Sequence, residues 1–218
     1  MSADDDLAPG WVADDVAAEF AGLRLWTAPA VPLAAGGRSP AELRARLRLL
    51  ADRLHGAEAL QLRRRPIPHA YRVFFRHIGL DPDVHRIPVE ALVVQRLTAG
   101  GFPSAGLVAD ALTVAVMETS VAVWALDADA VAGHLGIRAA WEGEPLGAGG
   151  PPLPAGRLVV ADDDGPLAVL FGDPVPARAV TPATRRAQLF AVAVTGVPEV
   201  HVAEALWIAR DILAGEDD

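Results

Sequence analysis

Leu43, Leu47, Leu50 and Leu54 recur at the three- and four-residue steps of one helical face. Ser39, Pro40 and Glu42 precede them in the order of an N-cap, a first-turn proline and an early carboxylate, so this spacing predicts a helix. Pro66 or Pro68 opens a second helix that turns Tyr71, Phe74, Phe75 and Ile78 inward and stops at Gly79. Pro88 opens a third, with Leu92, Val93 and Leu97 as its buried face and Gly100-Gly101 as its stop. Ser104 is placed to cap a fourth from Ala105 to about Thr119, and the β-branched alternation of Ser120 to Leu126 reads as a strand leaving it. Nearer the N-terminus, Asp14 or Asp15 caps a short helix through Phe20, and Leu23 to Trp26 alternate as a strand. Pro29 to Gly37 reads as a loop.

Beyond Leu126 the pattern changes. Short apolar runs at Leu135 to Ala140, Arg157 to Ala161, Leu167 to Phe171 and Leu189 to Val194 are separated by turn-forming stretches rich in Gly, Pro and Asp. These predict strands. Asp163 or Asp164 with Gly165 suits a tight hairpin, whereas a calcium loop would need further oxygen ligands that the sequence lacks. Thr181-Pro182 reads as a cap and helix start, and Glu199 to Leu213 as a last helix before an acidic tail. Helices first and strands later predict an α+β fold, with helices packed on a mixed, largely antiparallel sheet. The 218 residues are taken as a single domain, 1–218, with its core over residues 11–213 and loosely ordered termini.

Composition narrows the chemistry. With 52% hydrophobic and 22% charged residues the chain is globular in character. Asp110 and Glu118 interrupt the longest apolar stretch, so no membrane span is expected. Met-Ser-Ala-Asp-Asp-Asp at the start has no basic and apolar leader pattern, which makes the cytoplasm the expected location. There is no cysteine, hence no disulfide, thiolate metal site or cysteine nucleophile. All 19 basic residues are arginine, which rules out lysine Schiff-base chemistry. No metal motif is found in the histidine spacing, and no cofactor is expected.

A net charge of −9 argues against broad nucleic-acid binding, and DNA is not an expected partner. Yet Arg38 to Arg76 holds ten arginines against Glu42, Asp52 and Glu58, a local balance of +7. The arginines have two readings, solvated helix faces or a phosphate-contacting patch. Under the second, Arg63, Arg64, Arg65, Arg72 and Arg76 are the candidates for contact with RNA phosphates.

The string VADALTVAVMETSVAVWALD, Val108 to Asp127, resembles the signature of the editing (B3/B4) domain of the phenylalanyl-tRNA synthetase beta subunit. There a helix with a Val-x-Asp motif leads to a strand ending His-Ala-Phe-Asp. LVVADDDGPLAV, Leu158 to Val169, and AVTPATRRAQLFAVA, Ala179 to Ala193, are similar to that family's strand, acidic turn and returning strand, and then its Val-Thr-x-x-Thr segment. Tyr71 to Ser104 resembles shorter, free-standing relatives, and the whole resemblance covers Trp11 to Leu213.

The resemblance implies a pocket that admits the ester of a mischarged tRNA and positions water to hydrolyse it. The family's pocket histidine, glutamate and asparagine align with Trp124, Ala191 and Thr113, so three polar groups have changed and two of the replacements cannot accept a proton. The pocket candidates are Ser104, Thr113, Trp124 and Ala191, and no catalytic residue is assigned. Trp124 suits core packing as well as pocket lining, and Ser104 suits capping better than nucleophilic attack, since no His and Asp are placed as its partners. The expected function is a trans-editing aminoacyl-tRNA deacylase or a degenerate relative. The alternative is a non-catalytic module that binds tRNA, an amino acid or a protein in the former pocket. A third reading, hydrolysis of another ester or amide, needs a polar cluster around Ser104, Thr113 and Glu118.

Overall fold

The chain enters as one extended segment shared between two sheets. In the computed structural model, which describes residues 7–34, 37–54 and 56–215, β1 (Ala8–Pro9) pairs with β3 (Arg24–Thr27). One residue later β2 (Trp11–Val12) pairs instead with β6 (Gly136–Ala139). Gly10 stands at the switch and donates its N–H to Leu25 O at 2.8 Å. A Cβ there would lie 2.5 Å from the Leu135 carbonyl oxygen, so the crossing requires glycine.

Between these strands run α1 (Asp14–Glu19), β4 (Val31–Pro32), α2 (Ala41–Arg53), α3 (Gly56–Leu62), α4 (Pro66–His77), α5 (Pro88–Ala99), α6 (Leu107–Thr119) and β5 (Ala122–Asp127). After β6 come β7 (Glu144–Pro145), β8 (Pro152–Leu153), β9 (Leu158–Asp162), β10 (Gly165–Val169), β11 (Arg186–Ala193) and α7 (Glu199–Ala214). Strand β11 is the centre of the first sheet. It pairs antiparallel with β5 along one edge, and with β3 and β4 along the other. The second sheet runs β10-β9-β6-β2 and is antiparallel except for β2 with β6. The molecule is therefore mixed α+β with largely antiparallel sheets and seven α-helices among the described residues. None of those helices is long and apolar enough to cross a membrane. Met1 to Asp6, where a leader was sought, and the acidic tail after Gly215 lie outside the described residues.

Local signals set many boundaries. Pro66 and Pro88 begin α4 and α5, and Gly79 and Gly100 follow them at φ 76 and 75. Other expectations are corrected. The Pro29–Gly37 loop contains β4, because Val31 is buried and pairs with Ala187. Helix α5 buries Val93 as expected and packs Leu92 partly against the core, but Leu97 is half exposed and Val89 is buried in its place. Helix α3 had no strong sequence signal. The β9–β10 hairpin does turn at Asp163-Asp164, with Gly165 at φ 135, and Asp162 braces it: its Oδ1 accepts from the N–H groups of Asp164 and Gly165 at 2.9 and 3.2 Å.

Antiparallel register fixes what each face of the central sheet touches. Trp124 stands opposite Phe190, and Val123 opposite Ala191, so these pairs point to opposite faces. Trp124 and Phe190 face the aromatic side, where Phe171 lies 5.7, 5.8, 5.0 and 6.0 Å from the rings of Tyr71, Phe74, Phe75 and Trp124. Phe171 has φ 66, an unfavourable conformation for a bulky residue, and these four rings hold it there. The opposite face carries Ala125 and Ala191 and is covered by α6, with α7 packed alongside.

Tyr71 fastens α4 to the sheet. Its hydroxyl donates to Val192 O at 2.6 Å and accepts from Ala122 N–H at 3.3 Å, and its burial pushes the phenol pKa well up, keeping it protonated. Tyr71→Phe removes both of these hydrogen bonds from the core. A loss of about 2 kcal/mol is expected, and an unshifted thermal midpoint would show that both groups find other partners.

Glu144 closes the β7–β8 hairpin from inside. Its side chain is 1% exposed, forks onto Arg138 and accepts the Trp141 N–H at 3.2 Å. The hydrogen bonds from Arg138 hold its carboxyl below the ordinary value of 4.5. A depressed folded-state pKa contributes stability that is complete above the ordinary carboxyl value and is lost as pH falls through the lower one. Denaturation midpoints of Glu144→Gln are therefore expected to converge with those of the wild type below pH 4.5 and to fall beneath them above it. A constant gap across that range would assign the acid dependence to other carboxylates.

Candidate functional site

The two segments that carry the family resemblance meet at the end of β5. Asp127 Oδ2 accepts from Thr184 Oγ1 at 2.7 Å, while Asp127 N–H donates to Arg178 O at 2.9 Å. Thr184 Oγ1 accepts the Thr181 N–H at 3.0 Å, and Thr181 Oγ1 accepts the Ala183 N–H at 3.2 Å. The expected helix start at Thr181-Pro182 is thus a turn. Its hydroxyls bond within the turn and to β5 instead of initiating a helix.

Facing this turn is the start of α6. Gly106, at φ 111, precedes the helix, and Leu107 N–H donates to Gly37 O at 2.8 Å. A Cβ on Gly106 would stand 3.0 Å from that same oxygen. Between turn and helix lies a cavity of about 290 Å³, walled by Leu33, Val108, Leu112 and Ala125, with Thr181 and Thr184 on its polar side. No titratable residue is found among the described residues that line it. The first-turn amides of Val108 and Ala109, both lining residues, have no acceptor among the described residues. Orphan amides at a helix start favour a carbonyl or partial negative charge, and the walls favour an apolar group. No described lining residue is a candidate for general acid–base catalysis.

The predicted pocket residues do not share one cavity. Ser104 donates to Asp110 Oδ2 at 2.5 Å, an oxygen that also receives the Ser39 hydroxyl at 2.5 Å, while Oδ1 receives the Ala105 N–H at 2.8 Å. Neither serine caps its helix: Pro40 and Gly106 occupy those positions. Thr113 donates to Ala109 O at 2.9 Å and borders a separate cavity of about 140 Å³ with Asp110. Trp124 stacks on Phe190 at 5.5 Å and 14°, within the aromatic core. Ala191 is fully buried on the other face of the sheet. Glu118 pairs with Arg46 at 2.6 Å, one residue from the end of α6, so the polar cluster with Ser104 and Thr113 is not assembled.

The sequence reading missed Ala125, which takes the cavity position next to Trp124, and the Asp127–Thr184–Thr181 clip. The clip joins residues that lie in two separate strings of the sequence, and each hydroxyl has an ordinary local role of its own there.

Of the candidate tRNA-contacting arginines, Arg72 is removed. Its side chain is 6% exposed, donates to both Glu90 oxygens at 3.0 and 2.9 Å, and meets Asp83 at 2.7 Å. It joins α4 to α5 and the loop between them. The same guanidinium holds the exposed Asp83 carboxyl below its ordinary value. Arg63 lies 3.8 Å from Asp83, and it remains exposed together with Arg64, Arg65 and Arg76. No family model matches the chain, and no curated protein matches it.

Proposed function

We propose that this chain is a B3/B4-type module that holds the aminoacylated end of a tRNA without hydrolysing it. The observation that carries the reading is the cavity where the Val108–Asp127 and Ala179–Ala193 segments meet, which offers amides, threonine hydroxyls and apolar walls but no proton acceptor among its described lining residues. An aminoacyl ester presents a carbonyl for the α6 amides and a side chain for Leu33, Leu112 and Ala125. Arg63, Arg64, Arg65 and Arg76 supply exposed cations for phosphates.

Hydrolysis is the second reading, and the amides of Val108 and Ala109 favour it. An activated ester has its own leaving group, and amides that stabilise an oxyanion contribute even without a base. A panel of mischarged tRNAs incubated with the full chain separates the two. Binding with release of amino acid at the buffer rate is the expected result. Release above that rate would replace binding by editing, and neither binding nor release would reject both. Thermal shift with aminoacyl-adenosine esters gives an independent readout of occupancy.

A further inference from the structure

A second cavity, larger than the first at about 550 Å³, lies between α1, the end of α4 and strands β9 and β10. Its lining differs in kind. Asp15 and Glu19 stand four residues apart on α1 and so share one side of that helix, while Arg157, at the start of β9, is half-buried in another wall. His77 contributes an imidazole from the last turn of α4, and Phe20 and Leu170 form apolar floor. None of these four ionisable side chains has a hydrogen-bond or ion-pair partner among the described residues.

Among the described arginines that are buried or half-buried, Arg46, Arg72, Arg138 and Arg178 each hold a carboxylate and Arg96 a backbone carbonyl. Arg157 does not, although the chain carries an excess of acids and two carboxylates line the same cavity. Opposite charges that share a cavity without touching leave room for a molecule that satisfies both.

We propose that this cavity binds a small zwitterion, a free α-amino acid with an apolar side chain. Asp15 and Glu19 take the ammonium, Arg157 takes the carboxylate through its planar fork, and Phe20 and Leu170 take the side chain. With His77 neutral, the lining carries a net charge of −1, which disfavours an anion. The site is distinct from the cavity at α6 and needs a carboxylate that an aminoacyl ester lacks, so it goes beyond the function proposed above.

Calorimetric titration of the full chain with L-leucine tests it. Saturable binding is expected, with leucinamide and N-acetylleucine each weaker by about tenfold or more, the loss of one charge-assisted contact. Arg157→Gln should weaken leucine but not leucinamide, erasing the preference between them. The double variant Asp15→Asn with Glu19→Gln should erase the preference for leucine over N-acetylleucine. A general loss of structure would lower all ligands together, and the three ligands on the wild type test the charges without any substitution. No binding of leucine, or an undiminished leucine preference in Arg157→Gln, would overturn the proposal. Either failure leaves the tRNA result standing, because that assay reads the other cavity.

Discussion

Trp124→His, which restores the residue that the resembling motif carries there, is expected to lower stability by about 4 kcal/mol and to create no deacylase. The stability loss follows from size and polarity. Truncating a buried large aromatic costs roughly 3–5 kcal/mol, and histidine returns only part of the lost volume. It also places an imidazole against Phe190 and Phe171, where the stacked and tilted rings of the wild type offer it no hydrogen-bond partner. At roughly 2–4 °C per kcal/mol for a chain of this size, the thermal midpoint should fall by roughly 10 °C. The absence of activity follows from the pleat. Residue 124 points to the aromatic face, while the cavity beside α6 is lined by Ala125 from the other face. Calorimetry and amino-acid release from mischarged tRNA check the two halves separately. A folded Trp124→His that releases amino acid would show that this side chain reaches the substrate.

Where chain neighbours determine an element, it was legible in the sequence. Prolines at the starts of α4 and α5, and glycines after their ends, act through φ alone and need no distant partner. Where a polar side chain chose a distant partner, reading failed. Ser39 and Thr181 each precede a proline as helix caps do, yet Ser39 bonds to Asp110, 71 residues away. The Thr181 turn is tied through Thr184 to Asp127, 57 residues away. Arg72 looked like the other arginines of its run until α5 placed Glu90 against it.

The candidate site fared worse than the fold for a related reason. Apart from Thr181, Pro182 and Thr184, its lining is alanine, glycine, valine and leucine, which carry no chemical mark, and the marked residue, Trp124, is one pleat out of phase with it. The motif strings located the region. They did not specify which alternate positions of the strand face the space.

The second large effect is expected from Asp110→Ala, a loss of about 3 kcal/mol with weaker binding at the α6 cavity. Asp110 is 2% exposed, and its two oxygens receive three donors: the hydroxyls of Ser39 and Ser104 and the Ala105 amide. A single hydrogen bond to a charged group contributes about 1.5–3 kcal/mol. The two hydroxyls can rotate toward other acceptors, which keeps the total below the sum of three such bonds. The amide has no such freedom. The carboxylate also lies in the first turn of α6, where negative charge is favoured, so alanine removes that interaction too. The consequence reaches the cavity because Ala105 is one of its lining residues and Asp110 is what ties it to α6. Asp110→Asn separates the contributions: it keeps an acceptor for the Ala105 amide but offers an N–H₂ where two hydroxyls now donate, and should lose about half as much. Thermal denaturation of both variants, with aminoacyl-tRNA binding measured below their midpoints, gives the test. If Asp110→Ala melts with the wild type, the three donors have other acceptors within reach, and the α6 start does not depend on this carboxylate.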